Sequence, residues 1–122
     1  MGQALTPTAL VVEDDLMQRA LVSMLLEESD MRVVQCESAE AALAVLDQIG
    51  SRLAMIFTDV ELAGDMDGIE FAHQARERFP ELRIVVTSGA PRVRRLPDGT
   101  KFMAKPWVPL DVLREAQHAL RH

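Results

Sequence analysis

Short apolar runs at residues 9–12, 53–58 and 82–87 carry almost no polar interruption. They are too brief for helices, and they lack the alternation of a strand with one wet face. Runs of this kind read as strands covered on both sides, the mark of a parallel sheet wrapped in helices. Residues 32–36 and 102–104 form two further short strands. Between the strands the pattern changes to a helical period. Met17, Ala20, Leu21, Met24 and Leu25 mark a helix over 16–28, and the methionines Met17, Met24 and Met55 read as core packing. Ala42, Leu43 and Leu46 mark a helix over 40–48, with Ser38 as N-cap and Gly50 as C-cap. A third helix over 69–79 stops at Pro80. A last one over 110–120 presents Leu113, Ala116 and Leu120. Strand and helix alternate along the chain, which predicts an α/β fold, and right-handed crossovers leave few topologies. The flavodoxin-like doubly wound sheet of order 2-1-3-4-5 suits five strands.

Composition limits what such a chain does. It has 122 residues, 48% hydrophobic and 26% charged, with a net charge of −6. This is one ordinary domain, so residues 1–122 are expected to be a single unit. The acidic balance argues against a nucleic-acid partner or an anionic membrane surface. A single cysteine, Cys36, excludes an internal disulfide and reads as a small buried hydrophobe. No apolar run approaches the ~20 residues of a membrane span, and the N-terminus carries no signal-peptide pattern. A reducing, cytoplasmic compartment fits. Met1-Gly2-Gln3-Ala4-Leu5-Thr6 follows the myristoylation pattern, but no polybasic stretch supplies a second membrane signal. It reads as a frayed terminus.

Ligands of open parallel sheets bind at the carboxyl ends of the strands. Glu13, Asp14 and Asp15 follow the first strand there, and Asp59 the third. Thr87, Ser88 and Gly89 stand at the end of the fourth, and Lys105 follows the fifth. Two unit charges ~4 Å apart repel by about 4 kcal/mol at an effective dielectric of 20. Either one acid takes a proton or a cation sits among them. Oxygen ligands that leave room for water favour Mg²⁺. A carboxylate beside a divalent ion, an ammonium and a hydroxyl is equipped to accept a phosphoryl group.

The motifs Leu10-Val11-Val12-Glu13-Asp14-Asp15, Phe57-Thr58-Asp59, Met66-Asp67-Gly68, Val85-Val86-Thr87-Ser88-Gly89 and Phe102-Met103-Ala104-Lys105-Pro106 occur in this order. Over residues 9–120 the chain resembles the receiver domains of two-component response regulators. The resemblance implies that Asp59 is the phosphoacceptor and that Mg²⁺ is held by Glu13, Asp14, Asp59 and the backbone carbonyl of Glu61. It implies that Lys105 and a hydroxyl complete the site. Ser88 or Thr87 fills the hydroxyl position, and Ser88 fits better because Gly89 then takes the small-residue place after it. Asp15 is an alternative to Glu13 as partner of Asp14. Phe102 matches the aromatic that turns inward with the switch hydroxyl. The implied donor is a histidine kinase or a histidine phosphotransfer protein, and the output is contact with a downstream protein. A receiver that binds partners without phosphorylation is the alternative.

Two stretches depart from the family. The loop after Asp59 lacks the usual Met-Pro step and has one extra residue, with Gly64 available for the turn. The stretch from Ser88 to Lys105 is short and holds Pro91 and Pro97, so the family's fourth helix is expected to be a stub or absent. Arg92, Arg94 and Arg95 there are either a docking site for an acidic partner or a solvated loop. Trp107 is a further possible partner contact, or it packs on the last helix. His73 and His118 lack metal-ligand spacing and read as surface residues. A haloacid-dehalogenase-type phosphatase would need an Asp at position 61 and a cap domain. A flavodoxin would need a phosphate-cradling loop where the three acids stand. The chain holds no output domain. Its start at Met1 and the end of its last helix favour a whole protein over a fragment.

Overall fold

A computed structural model describes residues 6–90 and 94–121. Five parallel strands, β1 (Thr8–Val12), β2 (Arg32–Cys36), β3 (Leu53–Asp59), β4 (Arg83–Ser88) and β5 (Lys101–Ala104), form one sheet of order β2-β1-β3-β4-β5. Helices α1 (Leu16–Glu28), α2 (Ala39–Ile49), α3 (Gly68–Arg78) and α4 (Pro109–Leu120) connect or follow them, with a 3-10 turn at Gly50–Arg52. This is the flavodoxin-like arrangement expected from the apolar strands. The myristoylation-like motif lies almost wholly outside the described residues, as does Arg92.

The strands divide their side chains between two cores, as the period of two requires. Leu10, Val12, Ile56, Ile84 and Val86 face α2 and α3. Ala9, Val11, Met55, Phe57 and Val85 face α1 and α4. Both central strands are buried along almost their whole length, which explains why they read as unbroken apolar runs. Caps stop and start the helices at local signals. Ser38 Oγ accepts from Ala41 N, Asp15 from Gln18 N, and Asp67 from Ile69 N and Glu70 N.

The inward face of α1 differs from the sequence expectation. Leu25 is buried, but Met17 is 80% exposed, and Leu21 and Met24 are also exposed. The helix buries Arg19, Val22, Ser23, Leu25 and Leu26 instead. Two adjacent apolar stripes run along this helix, and periodicity cannot choose between them. A polar residue decides the rotation: the Arg19 guanidinium reaches inward and donates to the Glu13 carbonyl at 2.8 Å and to Gln35 at 3.3 Å. Met17 and Met24 are therefore surface residues, whereas Met55 is in the core. On α4 likewise, Val112, Ala116 and Ala119 are buried and Leu120 is exposed.

Among the described residues no helix separates β4 from β5. Residues 94–100 cover the sheet face there as an irregular strap, with Pro97 buried and Leu96 and Phe102 packed on the α2/α3 core. Three residues of α3 and its cap hold the strap. Asp67 pairs with Arg94, His73 Nε2 lies 2.9 Å from the Arg95 carbonyl, and Arg76 donates to the Asp98 carbonyl at 2.9 Å. The Arg76 guanidinium also donates to the carbonyls of Phe79, Pro80 and Leu82. It thus satisfies carbonyls of the turn between α3 and β4 together with one of the strap.

Hydrogen bonds to a charged group are worth about 1.5–3 kcal/mol each where they are sheltered. We expect Arg76→Ala to cost about 2 kcal/mol in urea unfolding and to raise hydrogen exchange in residues 94–100 before that of β1 and β3.

Candidate phosphoacceptor site

The register of the central strands builds the site. Val12 pairs with Thr58 and Asp59 with Thr87. Glu13, Asp59 and Ser88 therefore emerge side by side at one edge of the sheet, and all three are about 95% buried. Lys105 N donates to the Ser88 carbonyl at 2.9 Å, which carries the lysine onto the same edge. Its Nζ lies 2.7 Å from Asp59 Oδ2 and 3.7 Å from Glu13 Oε1. The peptide between Lys105 and Pro106 is cis.

The electrostatics are those of an overfilled site. Burial pushes the Glu13 carboxyl up to about 7. The Asp15 N–H works against this, while the charge of Asp59 and a hydrogen bond to it push the same way as burial. Burial pulls the Lys105 ammonium down. Its hydrogen bond to Asp59 and the charges of Asp59, Glu13 and Glu61 outweigh that and leave it above its ordinary value. One lysine thus stands against two buried acids.

The other expected residues separate by role. Asp14 is exposed at the rim beside Glu13. Asp15 caps α1 and faces away from the pair. The Thr87 hydroxyl donates to the Met103 carbonyl at 2.6 Å and is thereby committed to joining β4 to β5. The Ser88 hydroxyl faces the site and donates to the Glu61 carboxylate at 2.9 Å. Glu61 N approaches Asp59 Oδ1 at 3.4 Å. A Cβ at Gly89 would meet the Lys105 side chain at an ordinary 3.7 Å. Phe102 is half-buried on the α2/α3 face of the sheet. Trp107 packs edge-on against Phe57 with centroids 6.1 Å apart. Arg94 pairs with Asp67, and Arg95 lies 3.6 Å from Asp98. The described arginines of this stretch thus face acids of their own chain.

Three further residues position the site: Arg19 and Glu40, which carried no sequence signal, and Gly68, seen before only within the Met66-Asp67-Gly68 motif. Arg19 holds the end of β1. Glu40, from the first turn of α2, accepts from Asp65 N and Met66 N at 3.1 and 3.0 Å. It thereby fixes the loop whose proline is missing, while Gly64 makes the turn at φ +99°. Gly68 N donates to the Val60 carbonyl at 2.9 Å, and a Cβ at Gly68 would stand 1.8 Å from the Asp59 carbonyl oxygen. Only glycine lets α3 start this close to the acid. The remote partner of each contact is invisible to local pattern.

The donor set suits a hard cation in part. Among the described residues no three acid, histidine or cysteine side chains converge as a ready-made cage. Two facing buried carboxyls, one of them held protonated near neutrality, are what a divalent ion that keeps its waters would relieve.

An open parallel sheet of order β2-β1-β3-β4-β5 with buried acids and a lysine at its carboxyl edge defines a flavodoxin-like α/β domain with an acidic site. The comparisons narrow it. The family model described as response regulator receiver domain matches residues 9–112, and the chain belongs to that family. It is 33% identical over 122 residues to the two-component response regulator ORR5 of Oryza sativa subsp. japonica, covering 94% of this chain and 90% of that one. It is 31% identical over 121 residues to the hydrogenase transcriptional regulatory protein HoxA of Cupriavidus necator, covering 92% of this chain but 24% of that protein. The solved structure of a response regulator receiver protein from Sinorhizobium medicae superposes with a TM-score of 0.85 at 22% identity, covering 95% of each chain.

The raised Glu13 value has a measurable consequence. The folded protein retains a proton that the unfolded chain releases near pH 4.5. Stability without divalent metal therefore falls as pH rises from about 4.5 to about 7, by roughly 1–3 kcal/mol. Urea unfolding in EDTA should show this slope in the wild type and its loss in Glu13→Gln.

Proposed function

We propose that this receiver domain takes a phosphoryl group onto Asp59 from a phosphohistidine of a histidine kinase or phosphotransfer protein, and signals through protein contacts. The observation that carries the reading is the Lys105–Asp59 contact at 2.7 Å inside a buried acidic pair. An Asp59 carboxylate oxygen attacks phosphorus in line. The P–N bond to the donor imidazole breaks, its electron pair stays with the ring, and a proton restores neutral histidine. Water later cleaves the acyl phosphate and regenerates the carboxylate. Lys105 orients Asp59 beforehand and neutralises phosphoryl oxygens afterwards. The Ser88 hydroxyl is the donor placed for another of those oxygens. Magnesium, held by Glu13, Asp14, Asp59 and the Glu61 carbonyl, supplies further neutralisation of the equatorial oxygens when bound. Phe102 is the side chain proposed to follow Ser88. A cytoplasmic setting, where such donors meet ATP, belongs to the same reading.

The donor must bring its imidazole to Asp59, so its docking face has to rim the site. The exposed stripe of α1 does so. Met17, Gln18, Leu21, Pro106, Trp107 and Lys105 line a groove of about 670 Å³, and Lys105 also reaches Asp59. This groove, not the arginine stretch, is the proposed seat of a helix of the donor. An apolar groove of this kind reads a helix through residues spaced at i, i+3 and i+4.

Incubation with acetyl phosphate and Mg²⁺ should add the mass of one phosphoryl group to the intact protein. Asp59→Asn and EDTA should each abolish the adduct. An unmodified mass in every condition would turn the reading toward a phosphorylation-independent binding module.

The groove separates from the chemistry. Leu21→Glu should slow transfer from a phosphorylated donor about tenfold or more, since one buried apolar anchor is worth about 1.5–3 kcal/mol. Labelling by acetyl phosphate should stay as in the wild type.

A further inference from the structure

Glu61 enters the reading above only through its backbone carbonyl, yet its side chain has business of its own. Both carboxylate oxygens lie within reach of the Ser88 hydroxyl, at 2.9 and 3.1 Å. Ser88 is 4% exposed, whereas Glu61 is a surface residue that reaches in from outside. The Glu61 charge is also felt by the Lys105 ammonium. One carboxylate thus bonds a hydroxyl donor and adds its charge to the field at an ammonium, the two groups that a phosphoryl oxygen on Asp59 would require.

We propose that the Glu61 carboxylate is a removable plug, an internal stand-in for phosphoryl oxygens. It holds Ser88 in the resting state and must swing out before a phosphoryl group can take that hydroxyl. The inference rests on Asp59 being the phosphoacceptor. Its logic is competition for donors. A hydroxyl has one proton to give, so Ser88 cannot donate to Glu61 and to a phosphoryl oxygen together. The plug and the phosphoryl group are both anionic, and the site has few cations to share between them. Glu61 is exposed, so withdrawal leaves its charge in water.

The hydroxyl has a second link. Ser88 Oγ accepts from Ala90 N at 3.1 Å, at the head of the stretch that leads to the strap on α3. Release of Ser88 from Glu61 frees the hydroxyl to turn, and its turning alters that bond. The plug therefore sets both how readily the site is filled and whether the loop after β4 is held in its resting form.

The test uses beryllofluoride with Mg²⁺ as the phosphoryl mimic, titrated into wild type, Glu61→Gln and Glu61→Ala. Binding is read by fluorine NMR and by Trp107, the single tryptophan. Removing one competing charge near the surface of a site should tighten binding about three- to tenfold in both variants. Amide signals of Ser88, Gly89 and Ala90 in the ligand-free protein should move most in Glu61→Ala, where no acceptor remains. Equal affinities in all three proteins, with binding intact, would overturn the plug and leave Asp59 as acceptor. Unmoved Ser88–Ala90 amides in Glu61→Ala would overturn the resting contact directly. Absence of binding in every protein would overturn the phosphoacceptor reading, and the plug with it.

Discussion

Two acids, Glu13 and Asp59, leave the ends of neighbouring central strands and are buried against each other with one lysine between them. Few arrangements in a domain this small are as costly, because a carboxylate out of water has to be paired, protonated or bound to a cation. The fold answers with Lys105 from the next-but-one strand and with a proton on Glu13 up to about pH 7. That unresolved charge is what sets this edge of the sheet apart from the rest of the surface. The rest of the molecule holds the three groups in place: Arg19 on the end of β1, Thr87 clamping β5 through Met103, and Gly68 letting α3 begin against the Asp59 backbone.

The segment after β4 shows how a receiver manages with less helix. A strap tied to α3 by His73, Arg76 and Asp67 covers the face that a helix would otherwise cover. It is fixed by side-chain bonds to backbone carbonyls and by the Asp67–Arg94 ion pair, with no helical ladder among the described residues. The strap begins a few residues beyond Ser88, whose hydroxyl already bonds the Ala90 amide and the Glu61 acid. Events at the site and the state of the strap therefore share a short stretch of backbone.

Much of this was legible beforehand, and the reason differs by element. The inner strands β1, β3 and β4 were readable because burial on both faces leaves a short apolar run. The helix start at Ser38 was readable because a cap is a local contact, and Asp15 and Asp67 prove to cap α1 and α3 in the same way. The face of α1 was not. Met17, Leu21 and Met24 keep helical spacing as well as Val22 and Leu26 do, and the rotation follows from an arginine whose partner lies on another element. The same holds for Glu40, which binds a loop 25 residues away, and for the Glu61 side chain, which finds Ser88 across 27 residues.

By itself the sequence determined the alternation of strands and helices, the positions of Asp59, Glu13 and Lys105 at strand ends, and the absence of room for a full helix before β5. Those properties follow from local pattern and from chain connectivity, and both are written residue by residue. The tertiary structure alone decided which stripe of α1 meets solvent and which hydroxyl, Thr87 or Ser88, faces the acids. It alone paired Arg94 with Asp67 and laid the Glu61 carboxylate over the Ser88 hydroxyl. Each of these depends on packing between elements far apart in sequence, where small differences in burial and hydrogen bonding choose among faces that local pattern leaves equivalent.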